Sequence, residues 1–180
     1  MPGIVCRVVD PDTFVDLPPN TPGMLLVRGP NVMKGYLGRD DLTHKALRDG
    51  WYVTGDIALL DDDSFLRITD RLARFSKIGG EMVPHGRVEE ELHSAASSSV
   101  QVFLVTAIPD ESKGERLAVL TTLELASIPP LLAALSAAGL PNLFVPRLDA
   151  FIKVEALPVL GTGKVDLRAA KELALRALSR

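Results

Sequence analysis

The stretch Asp70-Arg71-Leu72-Ala73-Arg74-Phe75-Ser76-Lys77-Ile78-Gly79-Gly80-Glu81-Met82-Val83-Pro84 divides the sequence in two. Within it, residues 75–82 read as two short strands joined through Gly79-Gly80, and Pro84 suits the first turn of a helix over 84–96. On that helix Val88, Leu92 and Ala95 share an apolar face, which leaves Glu89, Glu90 and Glu91 to face solvent. Farther on, residues 100–108 and 116–125 alternate as strands. An alanine- and leucine-rich helix over 128–138 opens on a proline pair and stops at Gly139. Residues 147–154 form a further short strand, and 166–178 form a closing helix with Asp166 as its N-cap.

Upstream of Asp70 the chain is strand-like and heavily punctuated. A β-branched run over 4–9 closes on Asp10-Pro11-Asp12. The tract Leu17-Pro18-Pro19-Asn20-Thr21-Pro22-Gly23 is a loop, since three prolines remove backbone donors. Residues 24–28 form a buried strand ended by Gly29-Pro30. A short helix over 41–47, capped by Asp40 or Asp41, comes next, and residues 51–60 and 64–69 make a hairpin around Asp61-Asp62-Asp63. Short strands of this kind build a small antiparallel barrel or sheet. The second half reads as a small α+β unit, so the fold class is α+β with a boundary over 69–74.

Composition narrows the function. The chain has 180 residues, 47% hydrophobic and 24% charged, which is globular rather than disordered. Aromatic residues are only 5% and the formal charge is −3, which argues against a nucleic-acid partner. Seven basic and ten acidic residues precede Asp70, and thirteen of each follow from it, so neither half is a basic arm or an acidic tail. The single cysteine, Cys6, rules out an internal disulfide or zinc knuckle and suits a reducing compartment, the expected setting being the cytoplasm or the cytoplasmic face of the inner membrane through a parent protein. No apolar run approaches the roughly 20 residues that cross a bilayer.

Several motifs admit two readings. Asp56, ending Tyr52-Val53-Thr54-Gly55-Asp56, is either a turn aspartate bonding nearby amides or a carboxylate that accepts both hydroxyls of a ribose. Arg67, Arg71, Arg74 and Lys77 are either a solvated strand edge or, through Arg71, a ligand contact at a domain junction. Gly79-Gly80 would let a thin substrate arm approach the backbone. Gly161-Thr162-Gly163-Lys164 is not a phosphate loop, because Pro158 stands where its first glycine belongs and Val165 where its hydroxyl belongs. Lys164 is then either a solvated turn lysine or an ammonium delivered to a developing negative charge. His44 and Asp49 have an acyltransferase-like spacing without the glycine-rich motif that would accompany it. His85 and His93, eight apart, do not match a helical metal pair.

The order of the motifs is more specific than any one of them. Gly35-Tyr36, then Asp49-Gly50-Trp51-Tyr52-Val53-Thr54-Gly55-Asp56, Asp70-Arg71, Lys77-Ile78-Gly79-Gly80-Glu81, Leu140-Pro141 with Val145-Pro146, and Gly163-Lys164 with Arg168 resemble the final third of adenylate-forming (AMP-binding) enzymes. Residues 74–84 and 139–147 are most similar to acyl-acyl-carrier-protein synthetases, including 2-acylglycerophosphoethanolamine acyltransferases. The resemblance implies the end of a large domain's antiparallel β-barrel over 1–69, a hinge over 70–74 and a lid domain over 75–180. Ala73 stands where many members carry an acidic or lysine hinge residue.

The same resemblance implies the chemistry. Asp56 and Arg71 would hold the ribose of ATP, and Lys164 would bridge a fatty carboxylate and the α-phosphate during adenylation. Gly79 and Gly80 would line the tunnel for the phosphopantetheine of acyl carrier protein, or of coenzyme A in an ordinary acyl-CoA synthetase. The Thr-Ser-Gly-Thr-Thr-Gly-x-Pro-Lys type of phosphate loop and the Thr-Glu segment serving adenine and Mg2+ do not occur in this sequence. The remainder of the large adenylation domain is therefore an expected partner, and the chain alone is expected to be catalytically incomplete. A carrier-protein acceptor implies a basic docking face of Arg71, Arg74, Lys77 and Arg87, whereas coenzyme A implies a pocket for nucleotide phosphates. A reading of another class is a non-catalytic module that binds a carrier protein or a partner subunit.

Overall fold

The computed structural model describes residues 2–178 and divides into two compact units, one ending at Leu72 and one beginning at Ala73. The first contains β1 (Val5–Val9), β2 (Gly23–Arg28), α1 (Asp40–Ala46), β3 (Leu47–Arg48), β4 (Trp51–Leu60) and β5 (Leu66–Arg71). Its five strands form one antiparallel sheet in the order β1-β2-β4-β3, with β5 also paired to β4. Val8, Leu25 and Ala58 make its buried cluster, packed against Cys6, Leu17, Val27 and Leu60. The hairpin from β4 to β5 is tied by Asp61, whose Oδ1 accepts from the amides of Asp63 and Phe65 at 3.1 and 2.8 Å. Helix α1 corrects the expected cap. Arg39 is its N-cap, and Asp40 and Asp41 lie in the first turn, where carboxylates favour the positive helix end.

The second unit contains β6 (Phe75–Ile78), β7 (Glu81–Pro84), α2 (His85–Ala95), β8 (Phe103–Asp110), β9 (Gly114–Thr121), α3 (Ile128–Ala137), β10 (Phe151–Lys153) and α4 (Leu167–Leu178). The sheet order is β10-β9-β6-β7, with β8 on the other side of β9. All pairings are antiparallel except that of β10 with β9. Alternation along β8 feeds two cores. Phe103 and Val105 face Val88, Leu92, Ile128 and Leu135, while Leu104 and Ile108 face Ala170 and Ala174 of α4. Each large side chain so buried contributes about 1.5–3 kcal/mol, which makes β8 and β9 the spine of this unit.

Three local expectations change. Pro84 ends β7 and is the N-cap of α2, with extended ψ of 119°, rather than lying in the first helical turn. The strand expected over 147–154 is only Phe151–Lys153, because a 3-10 turn at Leu148–Ala150 precedes it. Glu89 does not face solvent; it is buried on the same side of α2 as Val88 and Leu92. Asp166 does cap α4, its Oδ1 accepting from the Ala169 amide at 3.0 Å.

Candidate active-site residues

Asp56 and Arg71 are brought together. They are register partners across β4 and β5, and Arg71 Nε lies 2.7 Å from Asp56 Oδ1. The Asp56 side chain is 22% exposed and that of Arg71 is 68% exposed, so the pair sits where a ligand can reach it. Local bonds aim both groups. The Asp56 amide donates to Thr54 Oγ1 at 3.0 Å, Thr54 Oγ1 donates to the Leu25 carbonyl, and the Arg71 amide donates to Asp70 Oδ1. A carboxylate acceptor beside a fork of N–H donors suits a vicinal diol, the chemistry of a ribose edge.

Gly79 and Gly80 form the two-residue turn between β6 and β7, closed by the Ile78–Glu81 pair. Both have positive φ, 59° and 90°, the geometry of a type I′ hairpin turn. A Cβ on either would meet nothing within 4 Å, so the space above the turn is open to a thin chain. The turn is also tied to its neighbour, since the Gly79 amide donates to the Lys113 carbonyl at 2.9 Å. Beside it lies a cleft of about 140 Å³ whose lining includes Ile78, Lys113, Arg116 and Arg147.

Lys164 occupies another turn of the second unit. Its carbonyl accepts from the Leu160 amide at 2.7 Å, the Gly163 amide donates to the Leu160 carbonyl, and Val159 bridges Val165. The backbone is thus pinned while the side chain is exposed, and no ion pair or hydrogen bond of its ammonium is found among the described residues. That arrangement presents a cation without committing it to an internal partner.

The sequence did not reveal a polar stripe on the inner face of α2. His85, Glu89 and His93 follow at intervals of four residues and so lie on one side of the helix. His85 Nε2 is 2.5 Å from Ser76 Oγ, with both residues buried. Glu89 binds Arg74 bidentately, at 3.2 Å to Nη1 and 2.7 Å to Nη2, and accepts from the Val105 amide at 2.7 Å. His93 Nε2 accepts from the amides of Val102 and Phe103 at 3.0 and 3.3 Å, and its Nδ1 donates to the Glu89 carbonyl. Burial, followed by the charges of Arg74 and Lys171, lowers the pKa of His85 from 6.5 to about 3, so the imidazole is neutral. The fourfold spacing was the available signal. Of the four cations expected on a docking face, Arg74 has a side chain 18% exposed and bound to Glu89, while Arg71 is exposed and paired with Asp56.

The other candidates have plain structural explanations. His44 Nδ1 bonds the Asp40 carbonyl of its own helix at 2.7 Å. Asp49, at φ 50°, forms the tight turn between β3 and β4. Among the described residues no group of three or more His, Cys, Asp or Glu is placed to hold a metal ion by itself. No described helix is long and apolar enough to cross a membrane.

No protein-family model matches the chain. It is 34% identical over 179 residues to "4-coumarate--CoA ligase 5" of Oryza sativa subsp. japonica, covering 91% of this chain and 31% of that protein. It is 42% identical over 109 residues to "Long-chain-fatty-acid--CoA ligase" of Yersinia pestis, covering 61% of this chain and 19% of that protein. The crystal structure of ATP-bound MatB from Rhodopseudomonas palustris superposes with a TM-score of 0.73 at 27% identity, covering 96% of this chain and 34% of that one. The relatives and the fold define a class, that of enzymes that activate a carboxylic acid with a nucleotide. The homologues and structural neighbours are adenylate-forming (AMP-binding) enzymes, and the chain is similar to their C-terminal portion over most of its length. It spans about a third or less of the length of the relatives it matches.

Proposed function

We propose that the protein supplies the ribose-holding pair and the mobile lid of an ATP-dependent acid–thiol ligase. In this reading residues 1–69 complete the large domain, 70–74 are the hinge and 75–180 are the lid. Asp56 accepts hydrogen bonds from the hydroxyls of the ATP ribose and Arg71 steadies the same edge, a role supported by their exposed pairing at 2.7 Å. Lys164 neutralises negative charge developing between the carboxylate and the α-phosphate, then leaves when the lid turns. Gly79 and Gly80 admit the pantetheine arm to the acyl-adenylate, which the open space above both residues supports. The phosphate loop, the Mg2+ site and the acid pocket belong to the remainder of the large domain, and a cytoplasmic setting fits the lone cysteine.

Coenzyme A is the acceptor favoured by the cleft beside Gly79, where Lys113, Arg116 and Arg147 can meet nucleotide phosphates. Acyl carrier protein is the second reading, with a fatty acid as donor and lysophospholipid reacylation as one use. It rests on residues 74–84 and 139–147, and it is weakened by the loss of Arg74 from the basic docking face. In the intact parent enzyme, Lys164→Ala is expected to slow acyl-adenylate formation by about 100-fold or more. Thioester formation from supplied acyl-adenylate should change by no more than about twofold, the acceptor step being served by other groups. Lys113→Ala with Arg147→Ala should raise KM for coenzyme A about tenfold while leaving any transfer to carrier protein unchanged. Lys164→Ala with both half-reactions intact overturns the catalytic reading and leaves a binding module.

A further inference from the structure

Buried polar residues in the second unit gather in one place. Among the described residues five polar side chains are buried: Ser76, His85 and Glu89 lie where β6 meets α2, and the other two are Thr106 and Thr121. Apolar side chains would fill that junction without the desolvation that a carboxylate, a guanidinium and an imidazole bring. Each polar group instead reaches the root of one hairpin. Glu89 holds Arg74, the residue before β6, while fixing itself to β8 through the Val105 amide. His85 holds Ser76, two residues into β6, from the first turn of α2. From Ser76 the strand runs only to Ile78 before the turn at Gly79. On the outer side, the Lys77 amide donates to Glu115 Oε2 at 2.8 Å, and the Gly79 amide donates to Lys113. The hairpin is therefore gripped along its length and exposed at its tip.

We propose that Glu89 and His85 are positioning residues, which act through Arg74 and Ser76 to hold the Gly79–Gly80 turn in the geometry that thioester formation requires. Its catalytic meaning rests on the reading of Gly79 and Gly80 as the pantetheine passage. A tunnel of backbone tolerates little displacement, since a shift near 1 Å in a reacting group can cost about 100-fold in rate. Adenylation uses Lys164, on another turn of the unit, so the two half-reactions depend differently on this grip. The single orphaned polar atom, His85 Nδ1, is buried without a partner among the described residues; the imidazole is retained there despite that cost.

The test uses the intact parent enzyme with Ser76→Ala, Glu89→Gln, and Glu89→Gln combined with Arg74→Gln. Glutamine at 89 keeps an acceptor for the Val105 amide while giving up the charge pair, which favours retention of the fold. Transfer from supplied acyl-adenylate is expected to fall about tenfold in each single variant, with adenylation changed by less than about threefold. The double variant should be no worse than Glu89→Gln, because the two residues act as one link. Amide hydrogen exchange over residues 77–81 should quicken in the same proteins. Unchanged exchange there, or an equal fall in both half-reactions, overturns the positioning role. If exchange quickens but Lys164→Ala leaves adenylation intact, the grip is real and the two-step reading is what fails.

Discussion

His85 shows how one buried side chain sets a pH dependence. Its folded pKa, about 3, lies below the ordinary 6.5, chiefly because burial disfavours the imidazolium. Below about pH 6.5 the unfolded chain binds a proton that the folded chain refuses. Its contribution is therefore complete above 6.5 and is lost as pH falls toward 3. The expected loss is about 1.4 kcal/mol per pH unit within that window. Urea unfolding of the protein and of His85→Phe, compared between pH 6.5 and 4.5, should show the steeper decline only in the former. Parallel declines would mean that the imidazole titrates normally. Glu89 belongs to the same scale and was not legible. Within the run Glu89-Glu90-Glu91 it reads as one solvated acid among three. Only the amide of Val105 and the guanidinium of Arg74, 16 and 15 residues away, explain its burial.

Elements were more legible than residues, because periodicity is local and partnership is not. The β6–β7 hairpin follows from Gly79-Gly80 between short apolar runs, and α4 follows from Asp166 before an amphipathic stretch. The strand expected over 147–154 shrank because hydrophobic alternation carries no information about the 3-10 turn at Leu148–Ala150. The hairpin turn also separates two demands on its glycines. Its backbone needs positive φ at both positions, while nothing crowds either Cβ. Gly80→Ala should therefore cost about 1–2 kcal/mol from backbone strain alone. Gly79→Asn, suited to the first position of this turn, should cost less than about 0.5 kcal/mol and yet slow thiol transfer by filling the open space. A thermal melt paired with a transfer assay checks both. A large destabilisation by Gly79→Asn would contradict the turn geometry.

At the scale of the whole chain, each unit has its own buried clusters on its own sheet. The change of composition near Asp70 suggested a boundary over 69–74, and the order of motifs carried the resemblance to adenylate-forming enzymes. The cleft beside Gly79 was not legible in the same way. Cations lining a cleft beside Gly79 come from distant parts of the chain, Lys113 and Arg147 among them. A polypeptide beginning at Ala73 is expected to fold alone and to unfold in urea as a single cooperative transition. A broad, non-cooperative transition would show that this unit borrows stability from the residues before it.

Helix α2 has a consequence beyond chemistry. Among the described residues strand β8 pairs with β9 alone, and the amides of Phe103 and Val105, with that of Val102 just before the strand, are taken by His93 and Glu89. That strand is among the most apolar in the molecule, and its unclad rim would be a template for a second copy of the same chain. Those two side chains thus occupy donors that a second strand would need, so His93→Ala is expected to speed aggregation on heating, read by light scattering, and an unchanged rate would show that the rim is guarded by other means.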